Sequence, residues 1–309
     1  MFGYLRKRII ISVVILLLIL LILFLLLQFM PGSPFNDAKL SPEQVAKLRE
    51  SYGLDKPVIV QFFRYVGNML RGDLGVSYSI SPNTPITTLL ANRFPVTLKI
   101  GFMSLIIGTF TGMTLGLVTA FFKSRIIKAL YHVLTILGIA VPSYLFAIFF
   151  SWTLGYKANL LPLLYDFRSP VLSSVMPTAA LSFVVMAVIA RFTKSEAEDV
   201  MSSDYVMLAR CTGMKNSTII VKYILRNSLI PVITVMAGLL VGLLTGSLVT
   251  EKMFAIPGIG ELLTNAITSN DYSVVIALSF VYSALYIVVM LILDVLYCVV
   301  DPRVRLGGE

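Results

Sequence analysis

Asp204-Tyr205-Val206-Met207-Leu208-Ala209-Arg210-Cys211-Thr212-Gly213 is followed by Met214 to Leu225 and then by Arg226-Asn227-Ser228-Leu229-Ile230-Pro231, with a long apolar run on either side. Asp204 is placed to cap a helix, because a carboxylate accepts hydrogen bonds from the free amides of the first turn. Tyr205, Leu208, Ala209 and Thr212 then recur at i, i+3, i+4 and i+7, which is one helix face. Gly213 suits the stop, where a left-handed residue is needed. Asn216 or Ser217 can cap a second helix that climbs back into the apolar region. The stretch predicts a short surface helix, a glycine turn and a re-entering helix, held between two spans. Pushed from outside, such an element transmits the push to both spans. Spacing alone equally allows an ordinary amphipathic loop helix resting on lipid.

The chain around this stretch has 309 residues, 57% hydrophobic and only 13% charged, with a mean hydropathy of +0.89. A soluble domain carries roughly a quarter charged residues, so the composition specifies an all-α polytopic membrane protein. The net charge of +9 sits on lysines and arginines beside the apolar runs. That placement marks topology determinants and lipid contacts, not nucleic-acid binding. Cys211 and Cys298 supply no disulfide framework and no metal cluster. His132 is the only histidine, which argues against a histidine-based metal or catalytic site within one chain.

Six spans follow from the apolar runs. Residues 1–29 form the first: Arg6-Lys7-Arg8 precedes an apolar run from Ile9 to Phe29, too long for a signal peptide and without a small-x-small cleavage site. Residues 30–95 read as a polar, extracytoplasmic insert of amphipathic helices. One begins at Ser41-Pro42-x-Gln44, presents Val45, Leu48 and Tyr52 and stops near Gly53; another follows Pro57 with Ile59, Phe62, Phe63, Val66 and Leu70 on one side. These helices either lie on the membrane surface or form a structural cap on the outer rim. Residues 96–300 hold five further spans. The second runs from about Val96 to Phe122, and the third from about Leu130 to Tyr156 with a kink expected at Pro142. The fourth covers Met176 to Ala190, the fifth about Leu229 to Val249 and the sixth about Val274 to Val300. Gly108, Gly112 and Gly116 in the second, and Gly238, Gly242 and Gly246 in the fifth, form two small-residue stripes where a neighbouring helix can approach closely. Residues 301–309 are a tail.

The short-loop lysines and arginines set the orientation. With the N-terminus inside, the inner segments hold Arg6, Lys7, Arg8, Lys123, Arg125, Lys128, Arg191, Lys194, Arg210, Lys215, Lys222, Arg226, Arg303 and Arg305. The short outer loops hold only Lys157, Arg168 and Lys252. Both termini and the loop at about 191–228 are therefore predicted to be cytoplasmic.

No phosphate-binding loop occurs, since the chain has no Gly-Lys dipeptide, and no serine or cysteine nucleophile is paired with a base. Asp294 is the clear intramembrane acid, and its nearness to Asp301 and Arg303 favours a structural ion pair over a proton relay. A self-contained secondary transporter or channel usually carries more mid-membrane ionisable groups and discontinuous helices. That class remains the rival reading; a non-transporting scaffold has nothing positive in its favour.

The opening stretch also resembles the coupling loop of permease subunits in bacterial ABC importers. Of the generic Glu-Ala-Ala-x-x-x-Gly pattern only Ala209 and Gly213 match. The peptide and nickel branch has its own variant, and Asp204, Tyr205, Ala209, Arg210, Gly213, Arg226, Asn227, Leu229 and Pro231 stand in its places. Cys211-Thr212 replace the usual Ala-Lys. Ser41-Pro42-Glu43-Gln44, Gly53 to Pro57, Arg71 to Gly75, Phe254 to Gly260 and Asp301-Pro302 are similar to the same branch. The resemblance is to the B-type permease subunit of a dipeptide, oligopeptide or nickel importer, with a type I importer fold of six transmembrane helices. It implies a multi-pass protein of the bacterial inner membrane that forms half of a translocation path. It further implies a second homologous permease chain, two ATP-binding subunits and an extracytoplasmic peptide-binding protein. ATP and magnesium would be used by the partner subunits, with no cofactor or metal bound by this chain. Asp204, Tyr205, Leu208, Ala209, Arg210 and Gly213 would seat in an ATPase groove. Peptide is favoured over a nickel chelate because no histidine or cysteine cluster lines a span, although a permease need only pass a delivered chelate.

Overall fold

The computed structural model describes residues 2–29, 43, 56–122 and 124–300. The expected helix start at Ser41 to Gln44, the Val45, Leu48 and Tyr52 face, the stop at Gly53 and the tail 301–309 lie outside the described residues, as do the side-chain surroundings of Gly246 and Asp294. In chain order the helices are α1 (Phe2–Phe29), α2 (Val58–Met69), α3 (Ile86–Phe121), α4 (Arg125–Ala140), α5 (Ser143–Phe150), α6 (Pro170–Met201), α7 (Asp204–Cys211), α8 (Asn216–Ile219), α9 (Arg226–Gly246), α10 (Leu248–Met253), α11 (Ile259–Thr268) and α12 (Tyr272–Val300). A π-helical segment, Ser151–Lys157, extends α5, and another, Ile220–Leu225, joins α8 to α9. No strand occurs among the described residues; Val76 and Pro85 make one isolated antiparallel bridge.

Among the described residues, four helical stretches are long and apolar enough to cross a membrane: Arg8–Leu26, Ile86–Phe121, Pro170–Met201 and Tyr272–Leu293. The pair α4 and α5 adds a fifth only if taken as one broken span, because it bends by 108°. This break exceeds the expected kink. Val141 before Pro142 is extended, with φ −94° and ψ 125°, so the helix ends there and restarts in a new direction. The apolar part of α9, Val232–Leu244, is shorter than a full span. α3 also starts ten residues earlier than expected, at Ile86, and carries Pro95 inside it.

Two compact units divide the chain. One contains 1–96 and 257–292. Its core is built from Leu20 and Phe24 of α1, Phe62 and Met69 of α2, Leu74, Ile86, and Ile259 to Leu278. α2 is pinned by its inner face: Phe24 meets the Phe62 ring edge-on at 5.9 Å and the Tyr65 ring at 6.1 Å. Burial pushes the Tyr65 phenol pKa upward. Burying Phe62 and Met69 is worth about 1.5–3 kcal/mol each. The expected apolar side of this helix is corrected by the structure: Phe62 and Val66 face the core, while Ile59, Phe63 and Leu70 are exposed.

The other unit contains 97–256 and 293–301. α6 is its central helix, with 61% of its apolar window buried against 11% for α1. Small residues on α6, among them Ala180, Ser182, Ala187, Ala190 and Ala197, let neighbouring helices come close. α3 lies on it through its glycine stripe. A Cβ placed on Gly112 would sit 2.6 Å from the Met186 carbonyl oxygen, and one on Gly116 2.7 Å from the Ala190 carbonyl oxygen. Gly108 is as tightly covered by Ser182 and Val185.

Candidate functional site

The region from α6 through α9 forms a bracket around α7. Ser202-Ser203 break the chain after α6, and Ser203 takes the N-cap position with extended backbone, φ −75° and ψ 149°. Asp204 is therefore the first helical residue and not the cap expected from the sequence. The reason is local: the Ser203 carbonyl accepts the first helical bonds, from the Val206 and Met207 amides, each at 3.1 Å. Asp204 in the first turn and Arg210 in the last both suit the helix dipole.

The end of α7 is a Schellman closure. The Gly213 amide donates to the Arg210 carbonyl at 3.0 Å, and the Met214 amide to the Ala209 carbonyl at 3.2 Å. Gly213 has φ +74°, the left-handed region this closure needs. A Cβ there would meet no described heavy atom within 4 Å, so the requirement is one of backbone conformation.

α7 has two unlike faces. Val206 and Ala209 are buried with Ala197 of α6, Ile219 of α8 and Ile224, and Phe121 and Tyr223 pack against that cluster. Tyr205, Met207, Leu208 and Met214 are exposed. Ala209, only 4% exposed against 65% for Leu208, thus lies opposite the outer face on which the periodicity placed it. Tyr205 reaches back to the re-entering helix: its ring stacks on Tyr223 at 6.3 Å, and the Asn227 amide donates to its hydroxyl at 3.3 Å. The spacing of Asp204 to Gly213 did not reveal this clamp. Its signal was the Arg226-Asn227 pair at the foot of α9. The arrangement is a short helix packed on α6 on one side and on α8 on the other, with Met207 and Leu208 exposed on its outer face.

The second glycine stripe behaves unlike the first. A Cβ on Gly238 or Gly242 of α9 would meet no described heavy atom within 4 Å.

Three polar constellations escaped the sequence reading. The Asp271 carboxylate, fully buried before α12, accepts the Ser77 hydroxyl at 2.5 Å and the Tyr78, Ser79 and Ile80 amides at 2.9–3.1 Å. A concave turn of successive amides is a natural carboxylate site. Arg93 pairs with Glu261, which also accepts from Asn265. Glu251, 1% exposed, accepts the Thr97 and Ser247 hydroxyls at 2.8 and 2.9 Å. Asn270-Asp271 and Glu251 are visible in the sequence as polar residues bounding apolar runs, but their partners lie far away in the chain.

Residues 112–306 match the family described as binding-protein-dependent transport system inner membrane component, and residues 1–101 match its N-terminal membrane component. The chain is 41% identical to the dipeptide transport system permease protein DppB of Lactococcus lactis subsp. cremoris, over 99% of this chain and 100% of that protein. It is 31% identical to the oligopeptide transport system permease protein OppB of Haemophilus influenzae, over 99% and 100%. Among solved structures, an amino acid ABC transporter crystallised with histidines is similar in fold, with TM-score 0.50 and 18% identity over 70% of this chain and 94% of that one.

Proposed function

The chain belongs to the binding-protein-dependent transport system inner membrane component family, and from that membership we propose that it is the permease subunit of an ATP-driven importer of dipeptides or oligopeptides. It is a multi-pass membrane transport subunit and not an enzyme. The observation that carries the substrate class is the end-to-end match to peptide permeases, 99% of this chain against 100% of the dipeptide relative.

Six spans, with both termini in the cytoplasm of a bacterial inner membrane, are our reading of the architecture. The four long apolar helices, the broken pair α4–α5 and the apolar stretch of α9 are its material, and the lysine and arginine asymmetry orients it. The partners follow from the family: ATP-binding subunits and an external binding protein. We take the ATPases as two copies, using ATP and magnesium, and the second half of the path as a homologous permease chain. In this reading α7 docks by its exposed Tyr205, Met207 and Leu208 into an ATPase groove. Its buried Val206 and Ala209, with the Gly213 closure, hand the motion to α6 and α8. A labelled dipeptide taken up by vesicles only when ATPases, binding protein and ATP are supplied is the expected result. Uptake by this chain alone overturns it.

A further inference from the structure

We propose that α2 is an interfacial membrane anchor, lying along the boundary between lipid headgroups and acyl chains at the C-terminal end of α1. Three observations converge on this. The first is its lateral pattern. At about 100° per residue, Phe62, Tyr65 and Met69 form the packed face, and Ile59, Phe63 and Val60 form a second, adjoining apolar sector, extended by Leu70. That sector is open: Phe63 is 66% exposed and Leu70 80%. In water, so dense an apolar surface on a two-face helix is a liability without an occupant.

The second observation is charge. Arg64 and Arg71 border the exposed apolar sector on its far side, and Val58–Met69 contains no acidic residue. Arginines in that position can bury their stems along the apolar sector while the guanidinium reaches lipid phosphate. Gln61 and Asn68 occupy the remaining arc and are half-buried, with the Gln61 side-chain amide donating to the Lys56 carbonyl at 2.7 Å.

The third is depth. Phe62 and Tyr65 are held against Phe24, five residues before the end of α1 at Phe29. At 1.5 Å per residue that is about 7.5 Å from the end of the apolar helix. An interfacial helix sinks its apolar face about 5–10 Å into the headgroup boundary. The lipid-facing flank of α1 continues beside it, since Leu25 and Leu26 are exposed. The flanking arginines and the depth on α1 favour lipid over a protein occupant.

The test uses the full chain in phospholipid vesicles, with Trp152→Phe removing the single native tryptophan. Phe63→Trp reports the proposed buried sector, Leu70→Trp repeats it at a second site, and Asn68→Trp reports the opposite face. Lipids brominated near the headgroup end of the acyl chain should quench Phe63→Trp and Leu70→Trp at least about twofold, with little quenching by aqueous iodide. Asn68→Trp, on the half-buried far arc, should be quenched by bromolipid less than either sector probe. Iodide quenching of both sector probes, without bromolipid quenching, overturns the anchor and leaves a water-facing surface. Shielding from both quenchers, appearing only when the external binding protein or a second permease chain is added, also overturns it and makes the sector a protein interface.

Discussion

Ser77 donates a 2.5 Å hydrogen bond to the Asp271 carboxylate, across 194 positions of sequence. The same carboxylate receives the amides of Tyr78, Ser79 and Ile80, while the Ser77 hydroxyl accepts the Ser81 amide at 3.0 Å. One buried acid therefore organises the whole turn between α2 and α3 and fastens it to the residue preceding α12. Asp271 does this in place of capping its own helix: its backbone carbonyl accepts the Val275 amide at 3.0 Å, but its side chain is committed to the turn.

Asp271→Asn should loosen that turn sharply. The asparagine nitrogen would point a donor at donors, and leaving buried amides unsatisfied costs about 1–3 kcal/mol per group. Faster proteolysis within the segment from Val76 to Pro85, and a lowered thermal midpoint in detergent, are expected. Ser77→Ala removes one donor and should cost about 1 kcal/mol. Unchanged proteolysis of Asp271→Asn would show that the turn is held by its own bridge between Val76 and Pro85.

The two glycine stripes separate cleanly by experiment. Gly112→Leu drives a side chain into the Met186 carbonyl and Ile189 of α6. Overpacking typically costs about 1–3 kcal/mol, and here backbone stands in the way, so α3 should come off α6 and the chain should fail to accumulate. A Cβ on Gly242 meets no described heavy atom within 4 Å, so Gly242→Leu should leave the chain's own stability unchanged. Any loss of function there would report contact with another subunit. Thermal unfolding of the isolated chain, set beside recovery of the assembled complex, distinguishes the two.

What the sequence revealed, and what it hid, has physical reasons. The Gly213 closure was legible because one residue type answers one backbone conformation, φ +74°. Pro142 announced a disturbance, since it forces Val141 out of the helix, but not a bend of 108°. That angle is set by what the two halves land on: Gly138 lies against Phe183 and Ala187 of α6, and Phe146 packs on Phe183 at 4.3 Å. The pattern Tyr205, Leu208, Ala209, Thr212 defines a stripe but not which side of it touches protein. Ala209 turned inward because a small residue is what lets α7 close on Ala197 and Ile219. The insert was expected to end at residue 95, yet Pro95 sits nine positions into α3, beside an apolar groove of about 380 Å³ lined by Leu90, Ala91 and Phe94. The Asp271 and Glu251 networks stayed hidden because long-range hydrogen bonds leave no periodicity.

Topology can be read with the native thiol. Cys211 is exposed on α7. In a Cys298→Ser background, a membrane-impermeant maleimide should miss Cys211 in intact cells and label it after permeabilisation. Thr88→Cys, placed in a cysteine-free background on the exposed side of the first turn of α3, should label in intact cells. The opposite pattern would invert the orientation drawn from the loop charges.

The proposed docking of α7 decides between an ATPase-driven subunit and a self-contained carrier, and its two faces call for different substitutions. Leu208→Asp changes the exposed face only, so the chain should fold and insert normally while ATPase subunits bind at least about tenfold more weakly, equivalent to 1.4 kcal/mol. Ala209→Asp places an uncompensated carboxylate in the cluster of Val206, Ile219 and Ile224. A buried unpaired charge is strongly destabilising, so α7 should detach from α6 and lose both docking and transport. Gly213→Val forces a β-branched residue into φ +74° at about 1–2 kcal/mol. Gly213→Asn should be tolerated, because asparagine accepts that conformation and no described heavy atom lies within 4 Å of the added Cβ. The measurement is dipeptide uptake and ATP hydrolysis in vesicles containing the permeases, ATPases and binding protein. Leu208→Asp and Gly213→Val should hydrolyse ATP without proportionate uptake, and Gly213→Asn should transport near the wild-type rate. Wild-type coupling in Leu208→Asp would move the docking surface off this face. Equal losses in Gly213→Asn and Gly213→Val would mean that the turn contacts a partner directly, since backbone strain alone separates those two residues.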